Sequence, residues 1–181
     1  NMKRAQEAEA KAEQTRLMAE SARGEAEKLI VYLLDDFYRE LEPFGRLDIV
    51  GDLSQRALDY YGALPAELRT KDTERNRALA LVRSGLVLRN QARVQESEWA
   101  LVEANRILAG LRAAGDPSEI TTVGYALGLS GLARVTGDTA RFDETGKFAQ
   151  QAVDVLAPLA TGPSPSLAVR RAYGTVNNYL G

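Results

Sequence analysis

Residues 78–108 read ALALVRSGLVLRNQARVQESEWALVEANRIL, and their periodicity decides the fold. Two apolar-periodic segments flank a short polar break at Asn90–Arg93. The first carries Leu81, Ser84, Gly85 and Leu88; the second carries Ser97, Leu101, Ala104 and Leu108. Leucines at helical spacing give each segment a stripe to bury, and the small residues at 85, 97 and 104 let two backbones approach closely. The stretch is therefore predicted to be an antiparallel helical hairpin, with helix three from about Thr73 to Gln91 and helix four from Gln95 to about Ala113. Helix three is apolar nearly all round between Ala78 and Leu88, which predicts that it is the most buried of the chain.

Downstream the same grammar continues. Asp116-Pro117-Ser118-Glu119 predicts a helix start, with Asp as N-cap, Pro at the first position and Glu at N3. Helix five then carries Ile120, Val123, Leu127, Gly131 and Val135 and stops at Gly137-Asp138. Helix six runs from about Phe142 to Leu159, Gly162-Pro163 break the chain, and Ser164-Pro165 open helix seven with Ala172, Tyr173, Val176 and Leu180. Upstream, Ile30, Leu33, Leu34, Phe37 and Leu41 form an apolar stripe, Pro43 and Gly45 reverse the chain, and helix two spans about Arg46 to Ala63. Before that, Ala5, Ala8, Ala12, Thr15, Ala19, Ala22 and Ala26 recur at steps of three and four, a heptad seam continued by Leu29 and Leu33. Two regions follow: a charged, alanine-rich helical stalk over residues 1–25 and a helical domain over 26–181.

Small residues at Gly85, Ser97 and Ala104 around a large Leu101 resemble the tetratricopeptide repeat. That family has small residues at the eighth, twentieth and twenty-seventh positions and a large apolar one at the twenty-fourth. Its aromatic and turn positions are not matched, since Leu81, Leu88 and Ala92 stand there. Ser84-Gly85-Leu86 recurs as Ser130-Gly131-Leu132, 46 positions on, against a family period of about 34, so longer helices or loops are implied. The resemblance implies an all-α stack of antiparallel hairpins forming a right-handed superhelix behind a long N-terminal helix. It also implies a concave partner groove, lined by Leu79, Val82, Leu86, Arg89 and Asn90 in the first full unit. The second unit would supply Tyr125, Gly128, Leu132, Val135 and Thr136, and the third Thr175 and Asn178. Val82 and Leu86 stand where the family's carboxylate-clamping Lys and Asn belong, so an open groove would suit an apolar helix or peptide; the alternative is a groove filled from within, by the first helix or by superhelical closure. The wording of residues 26–65 is similar to the repeat regions of bacterial multidomain signalling proteins, and Leu180-Gly181 resemble the middle of a further first helix. The chain is accordingly expected to be a piece of a longer protein that stops in mid-repeat.

Composition narrows the chemistry. Of 181 residues, 45% are hydrophobic and 27% charged, and the net charge of −2 gives no reason to expect nucleic acid, which usually draws a strongly basic face. No apolar run approaches the roughly 20 residues needed to span a bilayer. A cytoplasmic location is expected, or an extracytoplasmic one if a membrane helix precedes the chain. Cysteine and histidine are both absent, which removes thiolate and imidazole nucleophiles, bases and metal ligands. No enzyme, cofactor or metal is expected. Gly124, Gly128 and Gly131 lie in a helical pattern without a preceding strand, so close helix packing is predicted rather than a nucleotide loop. Trp99 is expected in the core or at its margin. The functional expectation is a protein-interaction or scaffold module. The alternatives are a structural module that dimerises through the N-terminal helix with no groove ligand, and a small-molecule sensor.

Overall fold

The structure, a computed structural model, describes residues 2–116 and 118–178. These residues are all-α. Helix α1 spans Met2–Leu41, α2 Leu47–Ala63, α3 Lys71–Asn90, α4 Val94–Ala113, α5 Glu119–Asp138, α6 Phe142–Ala160 and α7 Leu167–Asn177, with short 3-10 turns at Glu42–Phe44 and Ala66–Leu68. Each helix packs antiparallel on the next, and the odd-numbered helices also lie side by side, α1 on α3, α3 on α5 and α5 on α7. The calls on Pro117, Leu180 and Gly181 lie outside the described residues.

One turn is used three times. Gly45, Ala92 and Ala140 have φ of 66°, 60° and 58°, and each is followed by an arginine, Arg46, Arg93 and Arg141, at the start of the next helix. The arginine N–H donates back to the carbonyl of Leu41, Leu88 or Thr136 at 3.1, 2.9 and 2.8 Å. This bond closes the Schellman geometry, which satisfies the last carbonyls of the first helix. These turns recur 47 and then 48 residues apart (45 to 92, 92 to 140). The opposite ends repeat as well. Thr70, Ser118 and Ser166 cap α3, α5 and α7, their side chains accepting the N–H of Thr73, Thr121 and Val169 at 3.1, 3.3 and 3.1 Å. Such caps satisfy otherwise orphaned helix donors.

Core columns follow the same spacing. Leu34, Leu81 and Leu129 are buried on the first helices of successive hairpins; Ala57, Ala104 and Ala152, then Tyr61, Leu108 and Leu156, are buried on the second. The repeat is therefore 47–48 residues, and the period of 46 suggested by Ser-Gly-Leu is corrected. Two residues of helix turn through about 200°, so Gly85 and Gly131 face opposite ways. A Cβ at Gly85 would meet Leu101 Cγ at 2.6 Å, within its own hairpin. A Cβ at Gly131 would meet Leu101 at 2.8 Å and Leu86 at 3.2 Å, in the hairpin before.

Four further expectations change. Ser118, not Asp116, caps α5; Asp116 instead accepts the Ser118 N–H at 2.9 Å and the Thr121 hydroxyl at 2.6 Å, an Asx turn one step before the helix. Likewise Ser166, not Ser164, caps α7. Helix α5 buries more of its length than α3, because α3, α4, α6 and α7 all pack around it. Trp99 lies on the outer side of α4 and is 66% exposed. Helix α1 runs unbroken through Gly24; residues 2–19 are exposed throughout, and burial begins beyond them, at Glu27, Leu34 and Tyr38.

Candidate functional site

Helices α1, α3, α5 and α7 line a common elongated cavity of about 670 Å³. Its lining follows the structural repeat. Tyr32, Leu79, Leu127 and Thr175 occupy equivalent positions on the four helices and form the middle of the groove. One turn on, Asp35, Val82 and Ser130 continue it, and Arg39, Leu86 and Arg134 form one rim. Lys28, Val123 and Arg171 line the opposite rim, beside Asn76, Gly124 and Ala172. Small residues are needed there: a Cβ at Gly124 would stand 2.3 Å from Leu79 Cδ2. The glycine stripe of α5 is thus a packing device, since Gly124, Gly128 and Gly131 meet Leu79, Asn105 and Leu101 respectively.

The groove residues expected from sequence divide by register. Leu79, Val82, Leu86 and Thr175 line the cavity. Arg89 points away, its Nε 2.7 Å from Asp138 Oδ2, and Asn90 is exposed at the end of α3. Tyr125 lies outside, under the Arg112 guanidinium at 5.1 Å, and Leu132 is buried against Leu101 and Val135. Gly128, Val135 and Thr136 are buried away from the cavity, and Asn178 is exposed beyond α7. The misplacements in α5 have one cause. The 46-residue offset rotated its face by two residues, whereas the 48-residue offset carries Leu79, Val82 and Leu86 onto Leu127, Ser130 and Arg134, all three of which line the groove. The signal that finds them is the pair of turns, NQAR at 90–93 and DTAR at 138–141.

Sequence reasoning named no residue of α1 among those lining the groove. The second half of that helix supplies one wall, through Lys28, Val31, Tyr32, Asp35, Tyr38 and Arg39, which Glu42 of the following 3-10 turn continues. Arg83 of α3 fastens that wall, pairing with Asp35 and stacking over the Tyr38 ring at 4.9 Å. The Tyr38 hydroxyl donates to Glu42 Oε1 at 2.9 Å; burial, and then the Glu42 charge, push its phenol up to about 12. Deeper, the buried Glu27 carboxylate joins three helices. It accepts from Tyr60 Oη at 3.3 Å, Thr73 Oγ1 at 3.4 Å and Asn76 Nδ2 at 3.4 Å, and lies 3.7 Å from Arg23 Nε. A buried carboxylate needs such partners, because water is not available to solvate it.

Among the described residues no group of three or more acidic side chains is arranged to hold a metal ion, and no helix is long and apolar enough to cross a membrane. The groove offers apolar surface, charge and shape. No family model, curated protein or solved structure matches the chain.

Proposed function

We propose that the chain is a protein-interaction module of the tetratricopeptide-like kind, part of a larger signalling or scaffold protein, whose concave groove takes up a segment of a partner. The observation that carries this reading is the recurrence of the lining: equivalent positions on α1, α3, α5 and α7 converge on one cavity with an apolar middle. A groove crossing four helices suits a polypeptide better than a compact metabolite, because its length scales with the number of repeats. The small residues Gly85, Ser97 and Ala104 support the family likeness, while the longer period gives longer helices and a deeper groove wall. Leu79→Asp combined with Leu127→Asp is expected to abolish recovery of the partner by pull-down, whereas Trp99→Ala on the outer side of α4 leaves it unchanged. Circular dichroism establishes that each variant is folded. Equal recovery by all folded variants would refute the groove.

A second reading rests on α1. Its exposed first half carries Ala5, Ala8, Ala12, Thr15 and Ala19 on one heptad seam, a surface on which a second copy can pair. Sedimentation of the full chain against one lacking residues 2–22 decides it: a dimer lost on deletion supports pairing, and a monomer in both rejects it.

A further inference from the structure

We propose that two copies of this chain pair antiparallel through the free half of α1, in the register that sets Ala12 of one copy against Ala22 of the other. The inference rests on the pairing reading above and gives it an orientation and a register. Its first support is a helix face that nothing in the chain covers. Residues 2–19 are exposed throughout, and the face carrying Ala5, Ala8, Ala12, Thr15 and Ala19 continues through exposed Ala22 and Ala26 to Leu29, 56% exposed, and half-buried Leu33. The structural repeat shows what this face accepts. Leu33 is equivalent to Ala80 and Gly128, which lie 47 and then 48 residues on (33 to 80, 80 to 128). Both are buried under the second helix of the preceding hairpin, Ala80 against Ala57 and Tyr61 of α2, and Gly128 against Asn105 of α4. Each covering helix runs antiparallel to the helix it covers. On α1 the same face is left open.

The second support is charge, which selects the orientation. With Ala5 and Ala8 at a and d, the e positions are Glu9, Arg16 and Arg23, and the g positions are Arg4, Lys11, Met18 and Glu25. Residues at e and g decide partner and orientation in paired helices. In an antiparallel pair e faces e and g faces g. The layers Ala5–Leu29, Ala8–Ala26, Ala12–Ala22 and Thr15–Ala19 then place Glu9 beside the partner's Arg23 and Lys11 beside the partner's Glu25, and the twofold axis repeats both pairs. Glu9 and Lys11 form no ion pair of their own among the described residues. Their targets have room for them: Arg23 Nε lies 3.7 Å from Glu27, beyond hydrogen-bond reach, and exposed Glu25 gives one oxygen to Lys28 at 2.8 Å. Arg16, which meets its own copy, is held by Glu13 and Glu20 of its own helix. A parallel pair offers only Arg4 with Glu9, and leaves Lys11 facing Arg16. It also stacks Leu29 on Leu29, between layers of alanine that draw the axes together, whereas the antiparallel register sets Leu29 against the small Ala5.

The test uses the full chain, which has no cysteine of its own. Ala12→Cys and Ala22→Cys are made separately; both positions are exposed, so neither change disturbs the core. In a glutathione redox buffer an equimolar mixture is expected to give the mixed disulfide dimer, and each variant alone none. Sedimentation equilibrium supplies an independent readout. Lys11→Glu should raise the dimer dissociation constant about fivefold or more, and Lys11→Glu combined with Glu25→Lys should return it to within about threefold of the parent. Disulfides formed by each variant alone, with a dimer tightened by Lys11→Glu, would mean a parallel pair; the inference then fails and the pairing reading stands. A dimer indifferent to Lys11→Glu would also overturn the proposed register. A monomer at all concentrations, or a dimer that survives deletion of residues 2–22, would remove both the inference and the reading beneath it.

Discussion

The hairpins α3–α4 and α5–α6 share one backbone and solve its packing differently. Residues 48 apart are equivalent, so Gly85 corresponds to Ala133 and Leu101 to Ala149. The first pair joins the smallest residue to a large one, and the second divides the volume evenly between two alanines. Both Leu101 and Ala149 are buried, at 0% and 2% exposure. The caps, the left-handed turn and the columns Ala104/Ala152 and Leu108/Leu156 stay the same. The backbone repeat is therefore held by its ends and by two interior columns, while the volume at the crossing point is free to be exchanged.

The strongest way to break this comparison is at Leu101, which also fills the space opposite Gly131. Leu101→Ala should cost about 2–5 kcal/mol through lost burial and the cavity left behind, measured by urea denaturation. Gly85→Ala alone should cost about 1–3 kcal/mol, because the new methyl overlaps Leu101. The double variant recreates the Ala–Ala pair of α5–α6 and should be less destabilised than the two single effects together; strict additivity would mean that the two hairpins are not equivalent. Replacing Ser97 is a smaller perturbation. Its hydroxyl donates to the Gly85 carbonyl at 2.7 Å, so Ser97→Ala should lose about 1 kcal/mol.

The turns sharpen the comparison in the opposite direction. Ala92 and Ala140 hold a conformation that costs an L side chain roughly 1–2 kcal/mol. Ala92→Gly and Ala140→Gly should each stabilise by about 1 kcal/mol, and Gly45→Ala should destabilise by a similar amount. A loss of stability in either glycine variant would refute the shared turn. The smallest expected effect is alkaline. Tyr38 keeps its proton in the folded state up to about 12, above the ordinary tyrosine value. Between about pH 10 and 12 the unfolded chain has lost a proton that the folded chain retains, so stability falls as pH rises through that window. Tyr38→Phe should flatten that decline in a pH series of melting temperatures.

These pairs also explain what could be read in advance. Helix positions were legible because leucines recur every three or four residues, and they are placed within two or three residues throughout. Offset was less legible. Ser-Gly-Leu is an identity of letters, yet its two copies serve opposite faces, while the true equivalents, Gly85 with Ala133 and Leu101 with Ala149, share no letter. Alanine in a left-handed turn hides the strongest marker, because glycine is the residue ordinarily read there. The groove middle on α3 was found because its register came from the hairpin itself; that on α5 was lost with the offset. The part played by α1 was hidden by its own length, since an alanine seam and a groove wall run together along one helix.

That length has a mechanical consequence. Helix α1 is a single rod, free over residues 2–19 and seated between Glu27 and Leu41, so Glu27 sits where a fulcrum would. Met2 lies roughly 37 Å from Glu27 along the axis and Tyr38 roughly 16 Å, at 1.5 Å per residue. For a rigid tilt about Glu27, a displacement of the groove wall reappears at the far end inverted and about doubled: about 5° shifts Tyr38 by roughly 1.4 Å and Met2 by roughly 3 Å. The rod needs no hinge to report on the groove, because the wall and the pointer are the same helix.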